Sequence, residues 1–498
     1  MKKTGVAVIT VLMATAMIAT VWAPLCSADD AERYDTDDSV IPVTDLKFDV
    51  PSSFDLLDSG ILTSVKDQSS FGTCSYFSTI AAMESLMLIE KLEDISELDL
   101  SEAFLAGSIC TGTGYERQTE DQDEIRSLFA ETGNPGAYTW FTLLTLMNWL
   151  GPIDESLAPY SEYNDYYVSD MSLLQYTKAY LQSAECVNIE DTETIKYMLT
   201  WGYPGMLGCY ASTYNQTSDG RLNFYDPDAK SADHSVLLVG YDDDYSASNF
   251  DNEPPGNGAW LIKNSWGTEK FGDGYAWVSY YDVCSEVIFL TGAVSTDTYD
   301  HQYLYDNGVS VYTDIVYENT GSMANIFTTE GDEILEAVSF AMFGSAGIDY
   351  TVNVYGDLTD LSDPTSGKLA STACGQIYRA GMYTVDLDYG IIMNEGTAFS
   401  VVVTFSGEGG ISLAVDSDAI LECLGDDEFY LDPVASAGQS FVSSDGEEWT
   451  DIGTDGSSNV RVRAYTVDAP DNTSYTEAVV IAALIGIAIG AIAYLRRP

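Results

Sequence analysis

The chain has 498 residues, with 20 Lys and Arg against 78 Asp and Glu, so its formal net charge is −58. A nucleic-acid reader is excluded, because such a field repels phosphate and no Lys/Arg cluster exists to displace counterions. Hydrophobic residues make up 46% of the sequence and aromatic ones 12%, enough apolar material for large cores, which excludes global disorder.

In chain order, Lys2-Lys3 precede an apolar run from about Gly5 to Ala23 and small residues that end at Ser27-Ala28. That layout predicts a secretory signal peptide over 1–28. Residues 29–49 form a short acidic lead-in. From Val50 the pattern becomes mixed α and β and holds to about 295. Residues 74–92 carry Phe77, Ile80, Ala81 and Leu88 at helical spacing, which predicts a buried amphipathic helix. Residues 138–150 predict a second helix, stopped by Gly151-Pro152. Segments 235–241, 259–263 and 275–280 are rich in β-branched and aromatic residues and read as strands, with the acidic stretch 242–258 as a loop between two of them. Residues 300–468 read as all-β, with strands at 350–355, 398–404 and 459–465, for which a sandwich is the natural packing. After a linker at 469–477, the 18 apolar residues 478–495 precede Arg496-Arg497. As a helix they reach about 27 Å, enough to span a bilayer. The arginines place 496–498 in the cytoplasm and everything before 478 outside.

Four residues in this order carry chemistry. Cys74 opens a long apolar helix, where the helix dipole and free backbone N–H groups favour thiolate over thiol. Gln68, in the turn-forming stretch ahead of it, is placed to aim its amide at the same spot. Between residues 29 and 300 the only histidine is His234, directly before an apolar strand. Asn264 follows strand 259–263, where its side-chain carbonyl can hold an imidazole in one tautomer. A nucleophile, a base, a residue orienting the base and an oxyanion donor are what acyl transfer requires. The only other histidine is His301, and no Cys-x-x-Cys pair occurs, so neither a metal nor another cofactor is expected. The acidic loop lacks the Asp-x-Asp-x-Asp-Gly order of a calcium loop and reads as solvated.

These residues lie in motifs that resemble the papain-like cysteine peptidases. The segments are Pro51-Ser-Ser-Phe-Asp55, Val65-Lys-Asp-Gln68, Cys74-x-x-Phe-Ser78, Leu100-Ser-Glu102, Asp233-His-Ser-Val236, Val239-Gly-Tyr241, Trp260-Leu-Ile-Lys-Asn-Ser-Trp-Gly267 and Gly272-x-Gly-Tyr275. The resemblance implies an α+β fold, with a two-lobed peptidase domain over 50–295 built from a helical lobe and a β-barrel-like lobe. It also implies roles: Cys74 as nucleophile, His234 as general base and then acid, Asn264 as orienter, and Gln68 with the Cys74 N–H as oxyanion hole. Trp266 shields the His–Asn hydrogen bond, and Gly133 lets the substrate backbone approach the cleft. The sequence departs from the family pattern C-G-[SA]-C-[WY], reading Phe71-Gly-Thr-Cys74-Ser75. Phe71 removes a disulfide partner, and Ser75 removes an aromatic from the primed side of the cleft.

The second half resembles the lectin-like β-domain that follows papain-like domains in some prokaryotic surface proteins. The likeness rests on segments 350–355, 381–386 and 440–446 and implies cell-surface glycans as partners. A bridge between Cys374 and Cys423 is expected, while the pairing of Cys110, Cys186, Cys209 and Cys284 stays open. The whole reads as a cysteine endopeptidase displayed on the cell surface. It is anchored by a C-terminal transmembrane helix, acts on proteins or peptides, and carries a β-domain for surface or substrate binding. A thiol acyltransferase or ligase using the same residues, and a non-catalytic adhesin, are the alternative readings.

Overall fold

A computed structural model of the protein describes residues 49–470 apart from 110–138, 165–166, 168, 219, 307–311, 344–346, 409, 418, 423–427, 432–434 and 455–457. The expected signal segment 1–28, most of the lead-in and the apolar segment 478–495 therefore lie outside the described residues. Among the described residues no helix is long and apolar enough to cross a membrane.

The first half is built on helices α1 (Cys74–Ile89), α2 (Glu102–Ile109), α3 (Thr139–Met147) and α4 (Thr192–Thr200). The sequence predicts one buried face for α1, but the helix is wrapped on nearly every side. Tyr76, Ile80, Met83 and Met87 are buried, and so are Ser78, Thr79 and Glu84. The reason is its central place: α2 and α3 pack on it together with a sheet. Several of its buried polar groups are paired, as Thr79 Oγ1 is 2.6 Å from Thr142 Oγ1 on α3 and Ser78 Oγ is 2.7 Å from Ser235 Oγ.

Both α1 and α3 stop about three residues before their predicted ends. Lys91 (φ 59) and Trp149 (φ 62) turn the chain in the left-handed region. Leu92 N–H then reaches Met87 O at 2.9 Å and Leu150 N–H reaches Thr145 O at 3.2 Å. Each is a Schellman turn closed by a residue other than glycine, so the usual stop signal is missing from the sequence.

The sheet of this half contains β1 (Ser53–Asp55), β2 (Ala179–Val187), β3 (Gly205–Cys209), β4 (Tyr214–Gln216), β5 (Leu222–Phe224), β6 (His234–Asp242), β7 (Ala259–Lys263), β8 (Tyr275–Ser279) and β9 (Val287–Ser295). Its order is β2-β9-β3-β6-β7-β8-β5-β4, with β1 paired to β6. Strand β6 lies at the centre, and His234 through Tyr241 are all buried. The acidic stretch after β6 is more ordered than a plain loop. Asp243 accepts hydrogen bonds from Lys196 Nζ at 2.6 Å and Tyr280 Oη at 2.8 Å.

The second half is two facing sheets. Strands Thr320–Thr328, Ile348–Gly356, Lys368–Ile377, Ala398–Ser406 and Ser440–Ser443 lie in one. Strands Glu333–Met342, Ala380–Met393 and Val462–Asp468 lie in the other. Phe327, Phe340, Phe399 and Phe405 fill the space between. The two halves share a sheet: Ala380, Gly381 and Met382 pair with Cys186, Glu185 and Ala184 of β2. The expected Cys374–Cys423 bridge involves Cys423, which lies outside the described residues.

Candidate active site

Cys74 is the first residue of α1, with no acidic residue in the first turn to offset the positive helix end. His234 opens β6 and Asn264 follows β7, neighbouring strands in register at Leu237↔Lys263. That register sets the two side chains side by side, with His234 Nε2 2.8 Å from Asn264 Oδ1. The amide oxygen can only accept, so Nε2 carries a proton. The other ring nitrogen, Nδ1, is left for Cys74, to which His234 is hydrogen-bonded.

The electrostatics follow from this contact. Burial pushes the Cys74 thiol up, but the hydrogen bond and charge of His234 pull it below the ordinary value, helped by the N–H groups of Ser235 and Ser75. Burial pulls the His234 ring down. The bond and charge of Cys74 outweigh it and leave the ring above its ordinary value, with Asn264 and Asp233 adding to the rise. Each group thus favours the charged form of the other, which shifts the pair toward thiolate and imidazolium.

Supporting residues fix this geometry. Asn264 Oδ1 also accepts the Ser265 N–H at 2.8 Å. The Trp266 ring packs against His234 with centroids 4.9 Å apart. Ser78 Oγ of α1 is 2.7 Å from Ser235 Oγ, tying the helix that opens with Cys74 to the strand that opens with His234. Gln68 is buried. Its Nε2 donates to Phe71 O at 2.8 Å and its Oε1 accepts from Ser265 Oγ at 2.5 Å. Cys74, His234, Asn264, Gln68 and Trp266 are therefore gathered at one place, while Gly133 lies outside the described residues.

Several contributors were not singled out from the sequence. Ser265, inside the Lys-Asn-Ser-Trp-Gly run, holds both Asn264 and Gln68, and a serine beside an asparagine has no pattern that announces this. Asp233 accepts the Ala211 N–H at 2.7 Å and the Ser212 hydroxyl at 2.5 Å, besides lying against His234. Below the site, Lys66 Nζ lies 2.9 Å from Glu84, 2.8 Å from Asp99 and 2.9 Å from Glu102. Burial works against the Lys66 charge, but these carboxylates outweigh it and raise its pKa well above the usual lysine value. A cavity of about 20 Å³, lined by Glu84, Glu102, Lys263 and Asn264 among others, has room for one water. Among the described residues no group of His, Cys, Asp and Glu is arranged to hold a metal ion.

Residues 50–287 match the family model of the papain family cysteine proteases, and residues 303–466 match that of a lectin-like domain. Human cathepsin O is 26% identical over 240 residues, covering 46% of this chain and 61% of that protein. Mouse procathepsin L is 27% identical over 241 residues, covering 46% of this chain and 60% of that protein. The matched region thus spans about three fifths of the length of these relatives. Among solved structures, the cysteine protease and lectin-like domains of Cwp84, a surface layer associated protein of Clostridium difficile, superpose with a TM-score of 0.68 at 22% identity. That superposition covers 85% of this chain and 90% of the other, and so shows the same fold across both halves. Residues 50–287 belong to the papain family of cysteine proteases, and a lectin-like domain follows them in the same chain.

Proposed function

We propose that this chain is a cysteine endopeptidase, an α+β two-lobed catalytic domain over 50–295 joined to a sandwich over 300–468. The observation that carries the reading is the series from Cys74 to His234 to Asn264, with its 2.8 Å hydrogen bond. The Cys74 sulfur attacks a peptide carbonyl carbon, and the carbonyl π pair moves onto oxygen. The Gln68 amide and the Cys74 N–H receive that oxyanion. His234 gives its Nδ1 proton to the leaving amine as the C–N bond breaks, which leaves a thioester. Water, losing a proton to the same nitrogen, attacks the thioester and releases the acid, restoring the thiolate and imidazolium. Gly133 is assigned to the approach of the substrate backbone, and cell-surface glycans are the proposed partners of the sandwich.

Display at the cell surface draws on two supports. One is the signal-like 1–28 with the apolar run 478–495 as a membrane tether. The other is the likeness to a surface layer associated protein.

A mixed peptide library incubated with the wild type and with Cys74→Ala tests the assignment. Cleavage by the wild type and none by the variant is expected. Equal cleavage by the two would remove Cys74 from the chemistry. Adding a competing amine distinguishes hydrolysis, which yields free acids, from acyl transfer, which yields amides.

A further inference from the structure

The two proposed oxyanion donors stand at opposite ends of one short segment, Gln68 at its start and the Cys74 N–H at its finish. Their spacing is therefore set by the backbone of 68–74, which includes Ser69 in the left-handed region at φ 57. A side chain from elsewhere touches both ends. Tyr160 Oη donates to the backbone carbonyl of Gln68 at 2.9 Å and lies 2.6 Å from Thr73 Oγ1. A phenol has one proton, and the Gln68 carbonyl takes it, so the Thr73 hydroxyl is the donor in the second bond.

Thr73 occupies the N-cap position of α1 but makes no side-chain cap. Its hydroxyl is engaged by Tyr160 instead, the Tyr76 N–H donates to the Thr73 carbonyl at 3.0 Å, and the Ser75 N–H is left to act on the Cys74 sulfur. The Tyr160 ring is itself fixed, edge-on to Phe77 at 4.8 Å and stacked on Tyr163 at 5.3 Å. Phe71, where the family pattern has a disulfide cysteine, packs edge-on to Tyr163 at 5.1 Å. Aromatic packing thus holds the segment where a covalent link is missing.

We propose that Tyr160 is a positioning residue whose hydroxyl locks both ends of 68–74 and so sets the gap between the two oxyanion donors. The inference rests on the reading of Gln68 and the Cys74 N–H as that oxyanion hole. It concerns only turnover steps in which negative charge develops on oxygen, so alkylation of the sulfur, which develops none, does not depend on it.

The test uses the full chain and its variants Tyr160→Phe, Thr73→Val and the double variant. Tyr160→Phe keeps the ring contacts and removes both hydrogen bonds. It is expected to lower kcat on a peptide substrate roughly 10-fold, since small misplacements at a reacting centre cost about that much or more. KM and the pH profile of Cys74 alkylation by iodoacetamide should stay at wild-type values. Thr73→Val should give a smaller loss, and the double variant no more than Tyr160→Phe alone. If Tyr160→Phe does not fold, a loss of kcat in Thr73→Val with alkylation intact still supports the clamp. Wild-type kcat in the folded variants overturns it, and so does alkylation that falls in step with kcat. Gln68→Ala on the same substrate separates the two readings: wild-type kcat there rejects the oxyanion role of Gln68 and not the clamp alone.

Discussion

At the scale of single residues, the account rests on mutual stabilisation of two charges. The thiolate persists above the Cys74 pKa, which lies below its ordinary value, and the imidazolium persists below the His234 pKa, which lies above its own. Activity should therefore fall as pH drops through the first and as pH rises through the second, giving a bell-shaped kcat/KM profile. In His234→Ala only burial and the backbone N–H groups act on the thiol, so its pKa should move up, and the pH at which iodoacetamide begins to alkylate Cys74 should rise with it. Asn264→Ala should lower kcat by roughly 10²-fold, because the ring loses the acceptor that holds Nε2. Burst kinetics on an ester substrate would show whether the loss falls on the acylation step.

The four residues at the centre were legible in the sequence because each is of an unusual chemical type in a telling place: a cysteine opening a helix, a lone histidine before a strand. The hydroxyls of Ser265 and Tyr160 were not. Their roles depend on which carbonyl or amide the fold brings to them across 197 and 92 positions of sequence.

At the scale of elements, α1 and β6 carry Cys74 and His234, the proposed nucleophile and base, and polar groups buried beneath them keep the two in place. Glu84, in the middle of α1, is fully buried. It accepts from Lys66 Nζ at 2.9 Å, the Leu100 N–H at 2.9 Å and the Thr63 hydroxyl. Glu84→Ala leaves the Lys66 cation and a buried N–H without that partner. It should cost roughly 3–5 kcal/mol, the penalty of breaking a buried ion pair. Urea unfolding followed by tryptophan fluorescence reads that loss, and a change under 1 kcal/mol would show that the cluster reorganises freely. The start of α1 and strands β6, β7 and β8 could be read from apolar periodicity and β-branched content. The helix ends could not, because Lys91 and Trp149 close turns where glycine is the usual signal. The all-round burial of α1 has no signature in the sequence either, since its serines, threonines and Glu84 have the composition of a solvent face and are buried on partners distant in the chain.

At the scale of the whole molecule, the lectin-like half is bound to the protease half along a continuous seam. Backbone pairing across Gly381↔Glu185 is reinforced by Arg379 on Glu185. Trp149 stacks on Tyr180 with centroids 4.0 Å apart, and also on Tyr465. Arg463 and Gln302 both donate to Met147 O, the end of α3, at 2.7 and 2.9 Å. Arg463 is itself buried on Asp306. A Cβ at Gly381 would lie 2.3 Å from Ala184 O, so Gly381→Val cannot keep the pairing. The wild type should unfold in one calorimetric transition and Gly381→Val in two. Two transitions in the wild type would mean the seam carries no coupling. The sequence showed two regions of different pattern but not their union, because strands joined edge to edge pair through backbone groups that carry no side-chain signature.

The measurement closest to the centre of this account is the pH dependence of Cys74 alkylation by iodoacetamide in the full chain, with His234→Ala beside it. The account predicts a sulfur that reacts well below the pH at which a free thiol ionises, and the loss of that low-pH reactivity in the variant. A wild-type profile that rises only where an ordinary cysteine ionises, and is unchanged by His234→Ala, would contradict it.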